Sequence, residues 1–268
     1  MQPLKDIAPD KLKQIKYVLA DIDDTLTLNG RLPAAVYMAL EKLHDAGIIL
    51  VPITGRPAGW CDHMARMWPI DGIVGENGAF YFCYRTERQH MLRRYWKADA
   101  ERQTDRARLL ALSDEILTAI PEARVAADQA YRETDLAIDI CEDVAPLSTT
   151  KVNRIMAMFT AAGAHAKISS IHVNGWFGDY DKLSMTRNLF LEVFNEDLEA
   201  VKGQVIFIGD SPNDMPMFDY FPESVGVANI TRFLDQSAVK PAWITTQEGG
   251  TGFLELAAAL LRVKRQNE

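Results

Sequence analysis

Cysteine is scarce in this chain of 268 residues, which carries only Cys61, Cys83 and Cys141. Three scattered thiols make neither a disulfide framework nor the paired spacing of a zinc site, so a reducing, cytoplasmic setting is expected. Long apolar runs are missing too, and none approaches the ~20 residues that cross a bilayer. The segment Met1 to Asp6 lacks the apolar core of a signal peptide. Basic residues are in deficit, 29 against 37 acidic, giving a net charge of −8. Nucleic acid and membranes are therefore not expected as partners, since both call for a basic face or an apolar span. A small phosphorylated metabolite is not excluded, because a metal and a few placed cations reverse a local potential. Internal repeats, low-complexity tracts and Gly/Ser linkers are absent. What is present is a 48% hydrophobic fraction, ample for a packed core.

The apolar segments alternate between strand and helix. Tyr17 to Ala20 reads as a buried strand, Leu32 to Ala46 as an amphipathic helix with Gly47 at its end, and Ile48 to Ile53 as a second strand. This order suggests a right-handed βαβ unit. Ile70 to Gly75 reads as a third strand, closed by the turn Glu76-Asn77-Gly78-Ala79. The middle of the chain differs: Phe80 to Cys83 and Met91 to Trp96 look antiparallel, Glu101 to Ile120 and Lys151 to Ala162 helical, and Thr134 to Cys141 and Ile168 to Val173 extended. The βα pattern returns at Lys182, with a helix through Phe194 and an apolar strand from Gln204 to Ile208. The fold class expected is α/β: a Rossmann-like parallel-sheet core of residues 1–82 and 181–268, with an inserted α+β cap of residues 83–180.

Chemistry concentrates where strands end. Asp21 and Asp23 stand two apart after the first strand, so their side chains project to one side while the chain stays extended. Open α/β sheets bind ligands at this edge, and two adjacent carboxylates there call for a divalent cation with oxygen ligands. An acidic turn capping the next element is the plainer alternative. Thr54 and Gly55 end the second strand, Asp210 and Asp214 follow the later one, and Lys182 opens the helix behind the insertion. Carboxylates, a hydroxyl, a lysine and backbone N–H groups in one crevice suit phosphoryl transfer.

This ordered set resembles the haloacid dehalogenase superfamily. Its four motifs are similar to Asp21-Ile22-Asp23-Asp24-Thr25, Ile53-Thr54-Gly55-Arg56, Lys182, and Gly209-Asp210-Ser211-Pro212-Asn213-Asp214. The placement of the insertion resembles the type IIB cap of Cof-like hydrolases and of sucrose-phosphate and mannosyl-3-phosphoglycerate phosphatases. Asp24 departs from the pattern, where glycine is commoner. The resemblance implies that Asp21 is the nucleophile and Asp23 the acid and base. It further implies that Asp21, Asp210 and the main-chain carbonyl of Asp23 hold Mg2+. Thr54, Gly55, Lys182 and Asn213 would bind the phosphoryl group, supported by Asp214.

The expected activity is Mg2+-dependent hydrolysis of a small phosphorylated metabolite, a sugar phosphate or phosphoglycerate derivative, through an aspartyl-phosphate. Two alternatives stay open: a phosphosugar mutase gripping a second phosphate with Arg124 and Arg132, and a non-catalytic phospho-ligand binder. Substrate choice would sit in the cap, at Arg132, His172, Asn174 and Trp176. Alternation over residues 170–176 places the last three on one face of an extended segment, where packing within the cap is the plainer reading.

Overall fold

The computed structural model describes residues 1–169, 171–234 and 239–265. Among these, a parallel sheet runs in the order Gln2–Pro3, Trp243–Ile244, Glu223–Gly226, Val205–Gly209, Tyr17–Ala20 and Ile49–Pro52. Its central strands are apolar throughout because both faces are covered. Val18, Ala20, Leu50, Ile206 and Ile208 face the helices Ala34–Asp45 and Gly249–Lys264. Tyr17, Leu19, Val51, Val205 and Phe207 face the opposite layer, which includes Met185, Leu189 and Phe190. Gly47, at φ +76°, takes the left-handed turn that ends the helix Ala34–Asp45.

The expected hairpin is present as Phe80–Arg85 paired with His90–Tyr95. It does not belong to the cap's interior, however. Phe80–Arg85 pairs with Ile73–Gly75, and Val74 bridges in parallel to Ile53 at the edge of the main sheet. Phe80, Phe82 and Met91 pack with one layer of the core, Tyr81 and Cys83 with the other. Residue 83 thus lies inside a strand that extends the core. The sequence gives no sign of this, because an antiparallel hairpin reads the same wherever it docks.

A separate apolar cluster, from Leu109 to Phe177, defines the cap. It lies between the helices Asp99–Ala119 and Thr149–Ala161 and one face of a four-stranded antiparallel sheet ordered Arg124–Val125, Asp135–Asp139, His172–Trp176 and His165–Ile168. The single strand expected over Ile168 to Val173 is instead the junction of two. Ser169 N donates to His172 O (2.8 Å), and Ser169 Oγ accepts from His172 N (3.0 Å), turning the chain back on itself. Ser170, within that expected strand, lies outside the described residues.

Candidate active site

The strand Tyr17–Ala20 delivers Asp21 to the carboxyl edge of the sheet, where its N–H still donates to Ile208 O at 2.9 Å. The neighbouring strand Val205–Gly209 delivers Asp210 beside it. Lys182 opens its helix because Asp181 caps it, accepting from Ser184 N at 2.8 Å. The approach is close: a Cβ on Gly78 would lie 2.0 Å from Asp181 O. Lys182, 2% exposed, donates to Asp21 Oδ1 (2.6 Å) and Asp214 Oδ1 (2.8 Å). The other Asp214 oxygen accepts from Asp210 N (3.1 Å) and Ser211 N (3.3 Å). Asp214 therefore does not cap the following helix; it ties the lysine to the loop that carries Asp210.

Asp21, Asp210 and Asp214 bring carboxylate oxygens within 4.8 Å of one another, all buried. Burial pushes the Asp21 carboxyl up to about 8, Lys182 opposing and Asp214 and Asp23 adding to the rise. Burial also raises Asp210, with Asp21 and Asp214 next in effect. Lys182 thus offsets only part of the crowded charge. Hard oxygen donors carrying uncompensated negative charge fit Mg2+. Asp210 is pre-oriented for such a role, accepting from Thr25 Oγ1 (3.3 Å) and Asn229 Nδ2 (3.1 Å).

Asp24 has φ +56°. Glycine adopts this left-handed conformation freely and aspartate tolerates it, which explains both the common glycine and its replacement here. The Asp24 backbone is held at both ends, N–H to Thr27 Oγ1 (2.8 Å) and carbonyl from Asn229 Nδ2 (3.0 Å).

One cavity gathers Asp21, Asp23, Gly55, Asp210 and Asn213 from the core with Arg132, His172 and Asn174 from the cap. Thr54 is fully buried and does not itself line the cavity; next to Gly55, its Oγ1 accepts from Arg56 N at 3.0 Å. Trp176 is not brought there. It is buried in the core cluster, stacked between His165 and Tyr180 at centroid distances of 6.2 and 5.8 Å. Arg132 reaches the cavity wall with its donors already committed to Asp128, Asp135 and the Gly55 carbonyl (2.9 Å). It holds cap to core. Arg124 donates to the carbonyls of Pro121 and Ala123 and forms no cluster with it.

Arg56, whose role its sequence neighbours do not reveal, grips Asp23 through Nε (2.9 and 3.0 Å) and Nη2 (2.8 Å). The same guanidinium reaches cap Glu142 at 2.9 Å and stacks on Trp60, 4.6 Å from the ring centre. His172 Nε2 lies 2.9 Å from the other Glu142 oxygen. Glu76 adds a second clasp, accepting from Ala58 N in the core and from Glu133 N and Thr134 N in the cap. His172, then Arg56, pull the Glu142 carboxyl down to about 2 against the opposing effect of burial. A depressed carboxylate stabilises the fold above its ordinary value of 4.5 and loses that contribution as pH falls toward about 2. Glu142→Gln will therefore flatten the decline in melting temperature across that window relative to the parent. Parallel declines would remove Glu142 from the clasp.

Residues 18–104 and 145–249 match the family model of haloacid dehalogenase-like hydrolases. The chain belongs to that family. This hydrolase is 23% identical over 246 residues to a phosphoglycolate phosphatase of Haloarcula marismortui, covering 90% of this chain and 95% of the relative. A Thermoplasma acidophilum crystal structure superposes with TM-score 0.67 at 18% identity, covering 92% and 98% of the two chains. The sucrose-phosphatase of Synechocystis, solved with sucrose and phosphate, gives 0.63 at 16% identity over 92% and 98%. The hydrolase thus has the expected parallel-sheet core and inserted type IIB cap. Among its described residues, no helix is long and apolar enough to cross a membrane.

Proposed function

We propose that the hydrolase is a Mg2+-dependent phosphatase acting on a small phosphorylated metabolite, and that it works in the cytoplasm. The observation that carries this reading is the buried trio Asp21, Asp210 and Asp214 with Lys182 threaded between two of them. Phosphoglycolate phosphatase and sucrose-phosphatase among its relatives and structural neighbours support a monoester of a small acid or sugar. On the packing of the hairpin, we place the core at residues 1–96 and 181–268 and the cap at 97–180.

In this reading Asp21 attacks phosphorus in line, and the bond to the leaving oxygen breaks as the aspartyl-phosphate forms. Asp23, at the cavity wall, protonates the departing oxygen and later takes the proton of the water that hydrolyses the intermediate. Arg56 fixes the orientation of Asp23. Asp21, Asp210 and the carbonyl of Asp23 would hold Mg2+, which supplies charge neutralisation for the phosphoryl oxygens. Lys182, the Thr54 hydroxyl, Gly55 and Asn213 bind those oxygens, and Asp214 keeps Lys182 in place. Arg124 and Arg132 being spent on carbonyls and carboxylates leaves the mutase without its second phosphate grip. An acid–base carboxylate in the cavity is of no use to a silent binder.

The test is release of inorganic phosphate from a panel of sugar phosphates, phosphorylated acids and nucleotides. Turnover is expected with Mg2+, lost in EDTA and restored by excess Mg2+. Full activity in EDTA would remove the metal from the scheme. Interconversion of hexose phosphates without phosphate release would establish the mutase instead.

A further inference from the structure

The cap sheet sorts its side chains by strand alternation. Leu136, Ile138 and Val173 enter the cap core, leaving the other face polar and turned toward the catalytic loops. On that face Lys167 stands opposite Asn174 in register, two residues before Ser169. Asn174 and Ser169 both line the cavity. The strand His165–Ile168 runs beside the turn Pro212–Asp214 of the core. In that turn Asn213 faces the cavity at 7% exposure, its Oδ1 without a hydrogen-bond partner among the described residues.

The cations at and beside this cavity are ion-paired, except Lys167, which stands one strand behind its wall. Arg56 serves Asp23, Glu142 and Asp128; Arg132 serves Asp128 and Asp135; Lys182 serves Asp21 and Asp214. Lys167 is half-buried and close enough to Asp181, Lys182 and Asp214 to feel their charges, yet among the described residues it forms no direct ion pair with a carboxylate. Burial lowers its pKa; Asp181 opposes the fall, Lys182 adds to it and Asp214 opposes it again. An ammonium drawn partly from water, with carboxylates only at a distance and no direct ion pair, is stabilised further by an anion that reaches it. The transferring phosphoryl group is met by Lys182, so the anion left for Lys167 is a second one.

We propose that Lys167 is a specificity-determining residue that binds a carboxylate on the leaving half of the substrate, beside Asn174 at the cavity wall. The inference rests on the phosphatase reading and narrows it to monoesters of small hydroxy acids over those of neutral polyols. Lys167 acts on substrate choice and takes no part in bond breaking.

The experiment compares kcat/KM for 2-phosphoglycolate and glycerol 2-phosphate in the wild type, Lys167→Met and Lys167→Arg, all with Mg2+. The wild type is expected to prefer the acid. Lys167→Met lowers that preference roughly 10- to 100-fold, the scale of a lost charge-assisted hydrogen bond, mainly through KM. Lys167→Arg retains most of it. No acid preference in the wild type, or equal losses on both substrates in Lys167→Met, overturns the proposal. Calorimetric binding of 2-phosphoglycolate to Asp21→Asn, with and without Lys167→Met, separates the two readings. Binding weakened by Lys167→Met upholds the lysine's role even if no substrate turns over, whereas equal affinities, or no binding, overturn it. Absence of turnover across the full panel counts against the phosphatase reading alone.

Discussion

Asp21→Asn will fold normally and release phosphate on the order of 10^4-fold more slowly than the parent, or slower, as nucleophile deletions do. An amide oxygen still accepts from Lys182, so the hydrogen bond of 2.6 Å survives in kind, but it does not attack phosphorus. The stability effect has the opposite sign. The Asp21 carboxyl is raised by burial from 3.8 to about 8. A carboxyl raised in the fold opposes folding once pH exceeds its ordinary value, because the folded site must either keep its proton or carry an unfavourable charge. In EDTA at neutral pH, Asp21→Asn should therefore melt at or above the temperature of the parent, and the gap should close below pH 4. Added Mg2+ should raise the melting temperature of the parent more than that of the variant, since a ligand stabilises the state that binds it. Retained turnover by Asp21→Asn, or an unfolded variant, would each count against the site as described.

The placement of the candidate site is legible because its residues are fixed by local rules. A strand that ends in Asp21 and another that ends in Asp210 bring both carboxylates to the same edge of a parallel sheet, and the structure pairs the two strands from Tyr17–Val205 to Ala20–Ile208. Lys182 follows from its place at a helix start. Arg56 stands in the motif that ends its strand but has no role legible there, since its partners Asp23, Asp128 and Glu142 lie 33, 72 and 86 positions away. The cap was harder for the same reason. Alternation put His172, Asn174 and Trp176 on one face, and register confirms the shared side. Which part of that face overhangs the cavity depends on how the cap docks, and Trp176 lies at the far end, under Tyr180. Lys167 has no sequence signature, being a lysine in an ordinary polar stretch; its place comes from register opposite Asn174 and the lack of a direct ion pair.

Lys182→Met should damage stability and activity together. The ammonium is fully inside the protein, paired at 2.6 and 2.8 Å with two carboxylates. Removing one partner of a buried ion pair leaves the other charges uncompensated, a loss of about 3–5 kcal/mol. Methionine nearly matches the lysine in length and fills the space, so the loss is electrostatic and not a cavity. Denaturant titration in EDTA measures it. Mg2+ should return part of the lost stability, because a cation between Asp21 and Asp210 relieves the same repulsion. Turnover should fall on the order of 10^2- to 10^3-fold even when magnesium saturates, the scale of a lost donor at a developing charge. Adding Asp214→Asn to Lys182→Met should restore stability without restoring turnover, since it withdraws one orphaned carboxylate while the phosphoryl group still lacks its lysine. A Lys182→Met protein as stable and as active as the parent would show that the lysine merely fills the helix start, and the charge argument for the whole site would fail with it.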